Sequence, residues 1–357
     1  MNDQAADELA EKISPFFSIY EIRQHDGNIY FYGLPKKDIR TIYRELWAVF
    51  AKNGFEFQAG YELGENVLVA SPFRKVKERR WINVVLLLAT FFTTMLVGSY
   101  LYGANPEIAP SDILKGIPFT IAIMTVLIAH EAGHYFVAKK HGMQTSLPYF
   151  IPFPTIIGTM GAVIRHRGTI PSRKALFDVG ISGPLIGLFA SVVVTVIGLL
   201  QSPIPQASGD NIIQVQLGIP PLFGFIQVLL GISDSSSIHP IAFAGWAGML
   251  ITALNFIPAG QLDGGHVLRA MIGEKASRVS AVLPVVLFLI GAYVTIFMNV
   301  DGFMWIFWSV LLLLFSAGGH PRPLNDDIPL DRRRMVLGVL TFALALMCIT
   351  PVPIQVM

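Results

Sequence analysis

The stretch GIPFTIAIMTVLIAHEAGHYFVA, residues 116–138, decides how the chain must be read. Its length and apolarity suit a helix crossing a hydrocarbon core about 30 Å thick, which takes roughly 20 residues. Yet one turn of it carries His130, Glu131 and His134. Ionisable groups at that depth are costly and point to function. Two histidines four apart leave one helix face about 6 Å from each other, so both imidazoles can reach one Zn2+ ion. Glu131 between them lies close enough to take a proton from a water activated there.

Further apolar stretches follow near 81–102, 176–200, 240–258, 279–298, 302–318 and 335–353. The expectation is a predominantly α-helical polytopic membrane protein of about six or seven transmembrane helices, since the stretch at 302–318 is short and Asp301 precedes it. Composition agrees: the chain is 53% apolar and 14% charged, with a mean hydropathy of +0.57. A net charge of +2, with no basic block interleaved with aromatics, gives no reason to invoke nucleic acid. The single cysteine, Cys348, excludes a disulfide framework and a cysteine-held zinc, so a metal site must use histidine and carboxylate. Asp3, Asp7 and Glu8 open the chain with no apolar run, so neither a signal peptide nor a transit peptide is expected.

The basic cluster Arg74, Lys75, Lys77, Arg79 and Arg80 precedes the first span. Lys139, Lys140, Arg165, Arg167, Arg173 and Lys174 lie between the second and third, whereas residues 201–239 contain no lysine or arginine. This alternation predicts a multi-pass protein of the cell (plasma) membrane with a cytoplasmic N-terminal region. Residues 1–75 read as a small soluble α+β domain of ββαββ order. Strands at 18–23 and 28–33 flank the Asp26-Gly27 turn, a helix runs from Ile39 to Phe50, and strands follow at 55–59 and 66–70. His25 is read as a solvated turn residue. Residues 80–355 form the membrane-embedded domain, with its chemistry within 116–275.

A catalytic zinc takes three protein ligands and keeps one position open. Three candidates remain for the third. Glu274 lies in a short polar loop with Lys275 and Arg278, where a solvated role is expected; Asp263 and His266 share the segment NFIPAGQLDGGH, residues 255–266. Pro258, Gly260, Gly264 and Gly265 break that segment and can bring it to the depth of His130. Donor chemistry alone leaves both Asp263 and His266 open.

An H-E-x-x-H pattern in one span with N-x-x-P-x-x-x-L-D-G-G in a later one resembles the site-2 protease family of intramembrane metallopeptidases. The similarity extends through GTMGAV (158–163) and FDVGISGP (177–184), covering about residues 80–275, and no PDZ-like insertion separates the motifs. The chain is thus similar to the archaeal and plastid-type branch. That resemblance implies one zinc per chain held by His130, His134 and Asp263, with Glu131 as general base and Asn255 positioning the substrate. It also implies that the partner is a transmembrane protein substrate in the lipid bilayer, cleaved within or near its membrane segment. Oligomeric state is not written in the sequence.

Two rival readings exist: a transporter relaying ions through the same side chains, and an H-E-x-x-H protease recruiting Glu274. Asp178, just after Arg173 and Lys174, reads as a helix-end residue. Gly183 and Gly187 form a G-x-x-x-G pair suited to seating the third span against the zinc-bearing helix. His141, His166, His239 and His320 fall in loops or at span ends and are not expected as ligands. The apolar, Pro- and Gly-broken segment 147–168 suits an interfacial hairpin whose edge, around residues 158–163, could pair with an extended peptide.

Overall fold

The computed structural model describes residues 3–62, 64–73, 79–153, 155–164, 166–167, 169–201, 215–232, 238–298, 302–326, 328–350, 352 and 354–356. Arg74, Lys75, Lys77, Arg165 and Asp301, which entered the topology argument, lie outside them.

The N-terminal region opens with a helix absent from the expectation, α1 (Asp3–Ile13), followed by β1 (Phe17–His25), β2 (Asn28–Pro35), α2 (Ile39–Lys52), β3 (Phe55–Glu62) and β4 (Glu65–Pro72). Asp26 and Gly27 both take positive φ, +49° and +78°, which suits the tight primed turn between β1 and β2. The strands form one antiparallel sheet in the order β1-β2-β4-β3. Phe17, Phe31, Phe50 and Phe57 are fully buried between sheet and helices, and Ala6, Leu9 and Ile13 add the inner face of α1. His25 is exposed beside Asp26, as expected for a turn residue.

The helical region begins with α3 (Arg80–Leu101). A 3-10 turn at Pro110–Gly116 then leads into α4 (Ile117–Lys140). Short strands follow: β5 (Gln144–Thr145), β6 (Tyr149–Pro152), β7 (Thr159–Val163), β8 (His166–Arg167) and β9 (Ile170–Ser172). Beyond them come α5 (Arg173–Leu199), β10 (Val215–Leu217), α6 (Pro221–Leu229), α7 (Pro240–Asn255) and α8 (Asp263–Ile272). The chain then runs through α9 (Ala276–Phe297), α10 (Phe303–Ala317), β11 (Pro323–Asn325), α11 (Arg332–Leu346) and β12 (Ile354–Val356). Among the described residues, four continuous helical stretches are long and apolar enough to cross a membrane: Arg80–Leu101, Pro110–Lys140, Arg173–Leu199 and Asp263–Phe297. Shorter apolar helices accompany them, making this a multi-pass membrane protein. Large apolar side chains such as Leu88, Phe92, Phe189, Leu289 and Leu314 point outward, as a lipid environment permits.

The interior lies between α4, α5 and α7, around Phe119, Trp246, Met249 and Leu250. Small residues let α5 and α7 approach closely: a Cβ on Gly198 would stand 2.1 Å from the Ala242 nitrogen, and one on Gly248 2.3 Å from the Ser191 hydroxyl. The expected hairpin is present. β6 and β7 pair antiparallel, with Tyr149 opposite Val163 and Phe150 opposite Ala162. Asn83 of α3 donates to the carbonyls of Leu147 and Pro148 at 3.1 and 2.9 Å, and the Thr93 hydroxyl donates to the Gly158 carbonyl at 2.7 Å. β9 pairs in parallel with β11, which draws residues 323–325 onto the start of α5.

Candidate metal centre

Pro118 in the first turn of α4 supplies a fixed φ where no amide donor is needed, and Gly142 (φ +68°) follows the last turn. Between these ends His130, Glu131 and His134 are all buried, with 5%, 4% and 6% exposure. The two histidines converge with Nε2 atoms 3.2 Å apart. Asp263, the first residue of α8, brings Oδ2 to 3.2 Å from each of them. The break after α7 makes this possible, because α7 ends at Asn255 and the Pro258–Leu262 turn redirects the chain so that α8 starts at the level of the histidines.

The tautomer of His134 follows from its second nitrogen. Nδ1 lies 2.8 Å from the Val179 carbonyl oxygen, so Nδ1 carries the proton and Nε2 presents a lone pair towards His130 and Asp263. Two buried imidazole nitrogens and an oxygen of the partly buried Asp263 carboxylate thus face one another, and their donor atoms lie within 4.8 Å of one another. Glu131 adds a buried Oε2 with no hydrogen-bond partner among the described residues. A divalent cation resolves this crowding of lone pairs, and an N2O donor set beside an uncompensated carboxylate fits zinc.

The other candidates sit elsewhere. Glu274 is exposed in the 3-10 turn Gly273–Lys275. His266 lies one turn beyond Asp263, its Cβ beneath Gly180, and does not join the donor group. Asn255 is the last residue of α7, eight residues before Asp263. His320 is held by Ser280 at 2.8 Å. The G-x-x-x-G pair does seat α5 on α4, and more tightly than helix packing alone requires. A Cβ on Gly183 would fall 2.1 Å from His134 Nε2, and one on Gly187 would fall 2.9 Å from His130 Nδ1. Val179 was not legible as a site residue, since a backbone carbonyl has no side-chain signature. The only available signal was the general need of a ligating histidine for a partner on its other nitrogen.

Comparison with known proteins agrees with this chemistry. The model of peptidase family M50 matches residues 118–298, half of the chain. A probable zinc metalloprotease, EGY2, chloroplastic, of Arabidopsis thaliana is 31% identical over 252 residues, covering 68% of this chain and 43% of that protein. EGY1, chloroplastic, of the same plant is 29% identical over 249 residues, covering 66% of this chain and 43% of that protein. The chain therefore spans less than half the length of these plant relatives. Among solved structures, the site-2 protease from Methanocaldococcus jannaschii aligns with 18% identity and a TM-score of 0.34, covering 68% of this chain and 92% of that one.

Proposed function

The chain belongs to peptidase family M50, and from that membership and the donor triangle we propose that it is a site-2-type intramembrane zinc metalloprotease acting on transmembrane protein substrates. The observation that carries the reading is the 3.2 Å convergence of His130, His134 and Asp263 beside Glu131, whose buried Oε2 has no hydrogen-bond partner among the described residues. These three would hold one zinc per chain, which when bound supplies a Lewis-acid position for a water and a scissile carbonyl. Glu131 takes the proton of the attacking water and passes it to the departing amine. Asn255, at the end of α7, helps orient the substrate carbonyl. His134 keeps its lone pair directed inward because Val179 holds its other nitrogen.

A helical substrate must unwind before hydrolysis, since its carbonyls are all hydrogen-bonded internally. The outer edge of β7 is suited to take up the extended stretch by strand addition. Residues 1–75 form the soluble α+β domain and 80–355 the membrane domain. The charge alternation of the loops favours a cytoplasmic N-terminal domain in the cell membrane. A seventh span is supported by α11, whose first turn meets the start of α5 at Asp178. Its far end accepts a hydrogen bond at the Met347 carbonyl from Leu222.

The test is cleavage of single-span substrates by purified protein. Wild type cleaves, and Glu131→Gln keeps its zinc but loses hydrolysis. Equal cleavage by both would remove the catalytic assignment.

A further inference from the structure

The contact between α4 and α5 is close. Gly133, Gly183 and Gly187 let the two backbones meet, with a Cβ on Gly133 reaching 2.6 Å from the Ser182 carbonyl. Such a seam permits close approach, with the His134 and His130 rings seated over Gly183 and Gly187. A slip of one residue would carry the Val179 carbonyl about 1.5 Å along the helix axis, enough to break its hydrogen bond with His134. A contact outside the seam that fixes the register would therefore also fix this bond.

Asp178, adjacent to Val179, has the required contacts. Its Oδ1 and Oδ2 accept a two-pronged pair from Arg334, at 2.6 Å to Nε and 2.8 Å to Nη2. Its Oδ2 also lies 3.0 Å from Nε2 of His141. His141 caps the end of α4, and its carbonyl accepts the Trp47 indole N–H at 2.9 Å from the N-terminal region. Arg334 stands in the first turn of α11, where the Asp331 carboxylate also pairs with it. One carboxylate thus ties together the end of α4 and the starts of α5 and α11. The guanidinium fork fixes orientation as well as distance, which separates this cluster from an ordinary surface ion pair.

We propose that Asp178 is a positioning residue for the metal centre: by clamping the second turn of α5 to the end of α4 it fixes the Val179 carbonyl against His134. It acts through Val179 and His134 and touches no reacting atom. The inference rests on the zinc reading above.

The experiment uses the purified full chain loaded with cobalt(II), reading the visible d–d bands and the affinity by chelator competition. Wild type binds one cobalt. Asp178→Asn loses affinity by about tenfold and shifts the bands, as supporting partners of metal ligands do, and Asp178→Glu recovers part of both. Should Asp178→Asn fail to give monodisperse, helical protein, Arg334→Lys carries the same expectation, because it keeps the charge and loses the fork. Wild-type bands and affinity in the folded variants overturn the proposal and leave the zinc reading standing. Failure of wild type to bind cobalt overturns the zinc reading itself, and the proposal with it.

Discussion

The imidazole of His134 stands with Nδ1 2.8 Å from the carbonyl oxygen of Val179, which commits its two ring nitrogens to different tasks. The same carbonyl also accepts the Ser182 hydroxyl at 2.8 Å. One turn of α5 therefore orients the ligand, and the next residue along, Gly183, leaves the space the ring occupies.

From this follows the effect of filling that space. A methyl at Gly183 would fall 2.1 Å from His134 Nε2, so the imidazole must move by more than 1 Å to reach ordinary contact. Gly183→Ala should lower zinc affinity by about 100-fold or more while helix content by circular dichroism stays near wild type. Gly187→Ala, whose methyl would meet His130 at 2.9 Å, should cost less. Full zinc occupancy in Gly183→Ala under chelator challenge would count against the placement of His134.

Strand addition at the hairpin makes a separate prediction. Met160 is 53% exposed on β7, and proline there removes a main-chain donor and bends the edge. Met160→Pro should slow cleavage of a helical substrate about tenfold, the scale of one lost hydrogen bond, with zinc content unchanged. Near wild-type cleavage by the folded, zinc-loaded variant would show that β7 does not hold the substrate.

Acid stability should report on the anchor of the Asp263 helix. Arg269 of α8 is 3% exposed and forks onto Asp326 at 2.5 and 3.1 Å, with Arg173 at 2.7 Å from the same carboxylate. Burial pushes the Asp326 pKa up, but the hydrogen bonds from Arg269 and Arg173 outweigh it and hold it below the usual range. Because the folded pKa is depressed, this stabilisation is complete above the unfolded value of about 3.9 and is lost as pH falls through the folded one. Asp326→Asn should cost about 2 kcal/mol near neutrality, less than the roughly 3–5 kcal/mol for breaking a wholly buried pair. The gap in melting temperature between wild type and variant should close below about pH 4. A gap that widens on acidification would contradict the assignment.

Much of the site was legible because its chemistry is periodic. His130 and His134 share a face by spacing alone, and depth in an apolar span made their charges meaningful. The third ligand was not fixed by period, since Pro258 and the following glycines abolish any; donor chemistry left His266 open beside Asp263, the family resemblance favoured Asp263, and the turn in three dimensions brings Asp263 to the histidines. α1 was missed because its acidic residues drew the reading away from Ala6, Leu9 and Ile13, which do follow helical spacing. Asp178 read as a helix-end residue because its partners His141 and Arg334 lie 37 and 156 positions away. Contacts over such separations leave no local pattern.

The most direct measurement is zinc per chain in purified wild type and in Asp263→Ala, Glu131→Gln and His266→Ala, taken by elemental analysis on matched preparations. One zinc should be found in wild type, Glu131→Gln and His266→Ala, and almost none in Asp263→Ala. A full complement of zinc in Asp263→Ala, with loss in His266→Ala, would contradict the metal centre described here.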